Sequence, residues 1–177
     1  MNWSRQIFNK YPITRGIVTY GFSYATSDLI AQTFFRPEQE KFNWKEVSRF
    51  GLFGSLWVAP TVYTWIKTSS KLFPAPNLQN ALKKAIVEQF TYCPFAITTF
   101  YTGMNLLQGR SMDHATNELR EKFWPTYQTG ALYWVSVQTL NFAMIIEKNR
   151  VPVMSVASLV WGTFLSYMKF EKVWGGK

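Results

Sequence analysis

The chain has very little of the side-chain chemistry on which most catalytic and metal sites rest. One cysteine, Cys93, and one histidine, His114, occur in 177 residues, so neither a Cys/His metal cluster nor a zinc-binding pair of histidines can be assembled. Cys93 precedes Pro94 in an apolar stretch and reads as a small buried residue. His114 stands among charges and reads as solvated. Gly51 and Gly54 lie close together, but no glycine is followed by Lys-Ser or Lys-Thr, which excludes a phosphate-cradling loop. The expectation is a protein with no cofactor, no bound metal and no enzymatic activity.

Acidic residues are also scarce, ten against nineteen lysines and arginines, for a net charge of +9. Basic charge beside many aromatics invites a nucleic-acid reading. Here, however, the basic residues bracket apolar stretches instead of alternating with the aromatics. Trp3, Trp44, Trp124 and Trp174 fall near the ends of those stretches, the pattern of interfacial anchors. No nucleic-acid partner is expected.

Unbroken apolar runs of spanning length are missing too. A hydrophobic fraction of 47% and a mean hydropathy of -0.09 would suit a soluble protein of one domain. What the chain does have is charge-free stretches: 50–66, 89–109, 123–146 and 151–168, with a fifth, 16–35, interrupted only by Asp28. A surface helix in water would carry a charge every turn or so, so the stretches read as membrane spans. Their fillings are Thr, Ser, Gly, Tyr and Trp more than Leu and Val. Each is therefore only marginally hydrophobic, and close packing through small and hydroxyl residues must hold the bundle together.

The fold expected is all-α: a multi-span transmembrane helix bundle of four spans, with 151–168 either a fifth or interfacial, forming one integral-membrane domain over 1–177. Residues 1–14 carry Arg5 and Lys10, with Arg15 just after, and Trp3, Ile7 and Phe8 on one side of a short amphipathic helix. This segment reads equally as a mitochondrial address or as a snorkelling interfacial piece. Neither a secretory signal nor a peroxisomal Ser-Lys-Leu terminus is expected. Arg36-Pro37 and 73–77 mark loops. Pro60 and Pro94 lie inside spans and predict kinks, with Thr61, Thr64, Thr91 and Thr98 near the freed carbonyls. Residues 110–122 predict a charged helix on the membrane surface, and 147–150 no more than a turn. The lysines and arginines divide almost evenly between the two sides if all five segments cross, so they set no orientation.

Polar side chains inside the spans are the candidate functional residues. Thr91, Thr98, Thr102 and Asn105 recur on one helical face. Gln138 and Asn141 share a face, with Trp134 one turn before. Asp28, with Gln32 nearby, is costly at membrane depth and must point inward at a partner, for which Arg49, Arg150 or a ring of amides are the candidates. Such residues act either as glue between helices or as the lining of a water-filled path.

Ser27-Asp28-Leu29-Ile30-Ala31-Gln32, the 84–94 run with Glu88-Gln89, and Trp134, Gln138, Asn141-Phe142, Arg150 and Trp161 through Leu165-Ser166 resemble the signature positions of the Mpv-seventeen family, which includes a peroxisomal membrane protein of similar size. The 100–109 stretch and Lys122-Phe123-Trp124 resemble its Mpv-seventeen-like subgroup. Trp134-Val135 and Ile145-Ile146 stand where the family has Trp-Pro and Val-Pro, so this helix is expected to be straighter than the family pattern.

The resemblance implies a protein of the mitochondrial inner membrane or of the peroxisome, proposed to form a channel for small solutes and linked to reactive-oxygen balance and mitochondrial DNA maintenance. It brings no catalytic residues. On that basis Asp28, Gln32, Thr98, Thr102, Asn105, Gln138, Asn141 and Arg150 are the expected pore-lining or interhelical polar residues. Pro60, Gln89, Pro94, Trp134, Phe142 and Trp161 are the expected structural motif. The lipid bilayer is the expected partner, with small-molecule solutes if the protein is a channel and a homo-oligomer left open. The rival expectation is a non-conducting scaffold or assembly factor.

Overall fold

The computed structural model describes residues 12–35, 41–75, 77–145 and 147–170, so residues 1–11 of the amphipathic 1–14 segment, the Arg36-Pro37 loop, Trp3 and Trp174 lie outside the described residues. Among those described, the chain is all-helical. Helix α1 is Pro12–Phe34 and α2 is Trp44–Phe53. A π-helical stretch, Gly54–Val58, leads from α2 into α3, Ala59–Leu72. Then come α4, Leu78–Phe90, and α5, Tyr92–Leu107. The last two are α6, Met112–Met144, and α7, Glu147–Phe170.

Local chemistry sets these boundaries. Asn43 and Asn77 cap α2 and α4 by accepting from the amides of Glu46 and Asn80, and Ser111 caps α6 by accepting from His114 N. Between α5 and α6, Gly109 adopts φ +74°. The Gly109 and Arg110 amides bond back to Leu106 O and Asn105 O, a Schellman closure that favours glycine at this position.

Contacts along the helices show five passes. Trp65 meets Glu88 and Thr61 meets Tyr92, which sets α3 antiparallel to α4 and α5. Tyr101 meets Thr126 and Asn105 meets Glu118, which sets α5 antiparallel to α6. Tyr133 and Lys122 meet Ala157 and Met168, so α7 runs back along α6 and parallel to α1. The final segment therefore makes a fifth pass.

Four expectations change. Residues 89–109 are not one kinked span: the chain breaks at Thr91, and Pro94 sits in the first turn of α5, where its missing amide hydrogen has no intrahelical partner to lose. Pro60 instead follows the π-helical stretch at the start of α3, a widened turn that accommodates its ring. Residues 112–144 form one helix through Pro125, about 50 Å long at 1.5 Å per residue, so the charged piece before Phe123 is the first part of that helix, not a separate surface helix. Glu147–Arg150, read as a turn, is the first turn of α7.

The core joins Tyr24, Phe50 and Phe53 to Ile97, Phe100, Tyr101, Met104 and Leu165. Phe100 meets the rings of Phe50 and Phe53 edge-on at 5.7 Å each. Helix α1 approaches the π-helical stretch so closely that a Cβ on Gly54 would stand 2.5 Å from Tyr20 O. Despite their lengths, no helix among the described residues is both long and apolar enough to cross a membrane. The Thr, Ser and amide content that makes each stretch marginal in sequence explains that result.

Candidate functional site

A cavity of about 620 Å³ lies within the bundle. It runs from the end where α1 begins and where α3–α4 and α6–α7 turn, down to the core residues Tyr24, Phe53, Ile97, Phe100 and Leu165. Its wall is mixed. Tyr92 stacks on Trp65 at 5.7 Å, and Trp161 stacks on Tyr133 at 5.7 Å and meets Trp134 edge-on. Hydroxyls of Thr61, Ser69, Ser70 and Ser158 line it.

The amides are the unusual part of the lining. Gln89 is buried in α4 with both side-chain amide atoms unpartnered, and Asn141 is buried near the end of α6 with Oδ1 unpartnered. Leaving such an atom buried without a partner costs about 1–3 kcal/mol. Gln138, half-buried, faces the same space. Charge enters through Arg15, Lys84 and Glu88. Glu88 Oε2 accepts from Trp65 Nε1 at 3.0 Å.

Other predicted polar residues go elsewhere. Asp28 is fully buried and accepts from Ser166 Oγ at 2.5 Å and from Gln32 Nε2 at 2.6 Å. Its partners are thus a hydroxyl and one amide. Arg49 is taken by Glu46 at 3.0 Å, and the Arg150 side chain lies outside the described ones. Gln32 also exchanges two bonds with the Asn43 backbone, which holds the end of α1 to the cap of α2. Asn105 donates to Tyr101 O and to Glu118 Oε2. Thr98 is exposed and Thr102 half-buried, because the face of α5 that packs is Cys93, Ile97, Phe100, Tyr101, Met104 and Asn105. Phe142 lies in α6, with its side chain outside the described ones. None of Asp28, Gln32, Thr98, Thr102 or Asn105 lines the cavity.

Sequence reasoning missed a network at the opposite end of the bundle. Lys122 donates to Glu118 at 3.1 Å and to the carbonyls of Met168 and Lys169, while Lys169 Nζ meets Glu118 at 2.6 Å. Burial opposes charge on the Glu118 carboxyl, but Lys169, the Asn105 amide and Lys122 outweigh it and hold the carboxyl below its ordinary range. The Lys169 ammonium is lowered, first by burial and then by Lys122 and Arg110, although Glu118 opposes the shift. The i,i+4 spacing of Glu118 and Lys122 was visible in the sequence; the arrival of Lys169, 51 positions from Glu118, was not.

A model described as the Mpv17 / PMP22 family matches residues 105–166. An "Mpv17-like protein" of Xenopus laevis is 31% identical over 164 residues, covering 93% of this chain and 80% of its own length. "PXMP2/4 family protein 4" of Dictyostelium discoideum is 32% identical, covering 90% and 88%. "Protein SYM1" of Saccharomyces cerevisiae is 26% identical, covering 88% and 83%. No solved structure matches the chain.

Proposed function

This chain belongs to the Mpv17 / PMP22 family, and on that premise we propose that it is an integral membrane protein of mitochondria whose helix bundle forms a weakly selective channel for small solutes. Its place is the mitochondrial inner membrane, with the peroxisomal membrane as the alternative. It performs no chemistry on what passes, so a link to reactive-oxygen balance or mitochondrial DNA maintenance would run through the solutes themselves.

The membrane reading is supported by an inverted distribution of polarity. Ser27, Asp28, Asn105, Thr126 and Ser166 are 0% exposed, while Phe22, Phe90, Leu132 and Met144 are 74–75% exposed. Water favours the reverse arrangement, whereas lipid favours an apolar exterior around polar contacts that satisfy one another. On this reading Glu118 and Lys169 lie at a membrane surface, next to the ends of the spans.

The observation that carries the channel reading is the cavity with unpartnered amides at Gln89 and Asn141. A bundle that used these residues only as glue would close their hydrogen bonds, as it does for Asp28 and Asn105. Gln89, Gln138 and Asn141 thus form the solute lining, and Asp28, Gln32 and Asn105 hold the helices. Phe53, Ile97 and Phe100 block the inner end of the cavity, so conduction requires these side chains to move.

Planar-bilayer recording of the purified chain in KCl tests this. The expected result is a current that falls at least several-fold in Gln89→Leu and Asn141→Leu while both variants remain folded. Absence of current from the folded protein, or a current indifferent to both substitutions, overturns the channel and leaves the non-conducting scaffold.

A further inference from the structure

Lys84 and Glu88 stand four residues apart on α4 and both line the cavity. At this spacing two side chains lie about 5–6 Å apart at Cβ, close enough to form an ion pair. They do not form one. The ion pairs among the described residues join Arg49 to Glu46 and Glu118 to Lys122 and Lys169. Glu88 instead accepts from the indole of Trp65, and Lys84 Nζ has no hydrogen-bond or ion-pair partner among the described residues. Next to them, Gln89 is only 6% exposed and offers a free amide donor and a free acceptor.

Opposite charges held apart in one partly desolvated cavity are costly unless something bridges them. An anion would satisfy Lys84 and meet Glu88 as a like charge; a cation would do the reverse. A molecule carrying both signs satisfies both, and the Gln89 amide can bond to either of its ends. We infer that the cavity binds a small zwitterion, with its carboxylate or phosphate on Lys84, its ammonium on Glu88, and Gln89 beneath. The inference rests on the solute-path reading of the same cavity and narrows it to a solute class. The same chemistry has two sources, a free amino acid and the headgroup of a zwitterionic lipid.

The test is equilibrium dialysis of the full chain in a neutral detergent against labelled L-serine, with lactate, ethanolamine and dioleoyl phosphatidylcholine as competitors. Serine is expected to bind at least tenfold tighter than lactate, which lacks the ammonium, and than ethanolamine, which lacks the carboxylate. Lys84→Met and Glu88→Gln are each expected to weaken serine binding at least tenfold with the thermal transition retained. The charge exchange Lys84→Glu with Glu88→Lys is expected to recover part of it. Competition by the lipid at or below serine concentration assigns the site to a headgroup, and its absence assigns it to the free solute; both keep the zwitterion.

Lactate or ethanolamine binding as tightly as serine overturns the inference. So does serine binding that ignores both charge substitutions, or no serine bound by the folded protein. Current in KCl separates the two readings. A chain that conducts but binds no serine loses the zwitterion and keeps the channel; one that binds serine but passes no current does the opposite.

Discussion

Ser166 Oγ donates a 2.5 Å hydrogen bond to Asp28 Oδ1 across 138 positions of sequence, and this contact ties the first described helix to the last. Ser27, beside it, donates to Leu159 O at 2.9 Å. Together they let two parallel helices share a polar seam.

Ser166→Ala should therefore leave one oxygen of a fully buried carboxyl unpartnered. The expected loss is about 1–3 kcal/mol of stability, read by chemical or thermal unfolding in detergent. Asp28→Ala combined with Ser166→Ala should lose less than the sum of the two single changes, because both remove the same bond. Additive losses would show that the pair does not act as a unit.

Gly54→Ala places a methyl group 2.5 Å from the Tyr20 carbonyl and 2.8 Å from Tyr24 Cβ. Backbone cannot yield as the tip of a side chain does. Overpacking of this kind costs about 1–3 kcal/mol, and the expected loss exceeds that of Gly109→Ala, where the space is open and only the φ of +74° resists. Equal melting temperatures for Gly54→Ala and the unmodified protein would refute the close approach of α1.

Gln89→Leu separates a functional amide from a structural one. Its two amide atoms have no partner, so an apolar side chain of similar size removes a desolvation cost and should leave stability unchanged or raise it by up to about 1–3 kcal/mol. Asn105→Leu, by contrast, breaks bonds to Tyr101 O and Glu118 and should destabilise. A melting point for Gln89→Leu well below that of the unmodified chain would make Gln89 a structural residue.

Acid should loosen the end of the bundle around Glu118. Its folded carboxyl is lowered, so the unfolded chain binds the proton more readily and the contribution is present above the unfolded glutamate value, about 4.3. It is lost as pH falls through the lower folded value. Lys169, lowered in the fold, acts at the other extreme: stability rises with pH towards its unfolded value, about 10.4. In Glu118→Gln the acid-side loss should shrink while the alkaline trend remains. An unfolding profile between pH 2 and 5 that is the same for both proteins would exclude Glu118 as its source.

Particular residues show how far the sequence could be read. Charge-free stretches located all five passes, because each excludes a charged outer face whatever packs against it. The inward aim of Asp28, Gln138 and Asn141 was legible for the same reason: a lone polar group in an apolar stretch has few other places to go. Pro94 was misread because a proline inside a span and a proline opening a new helix look alike until the break at Thr91 is seen. Thr98 and Thr102 followed a regular spacing of their own, but the larger side chains of α5, Ile97, Phe100, Tyr101 and Met104, took the buried face, where they make more packing contacts.

The sequence by itself determined that the chain is helical, where its five charge-free passes lie and that polar side chains lie among apolar ones, since charge spacing acts over a few residues. Only the tertiary structure decided which polar groups find partners. Asp28 closes on Ser166 and Asn105 on Glu118, while Gln89 and Asn141 face the cavity with atoms to spare. The reason is distance along the chain: a hydrogen bond between residues 138 positions apart depends on how whole helices dock, and no local pattern encodes that.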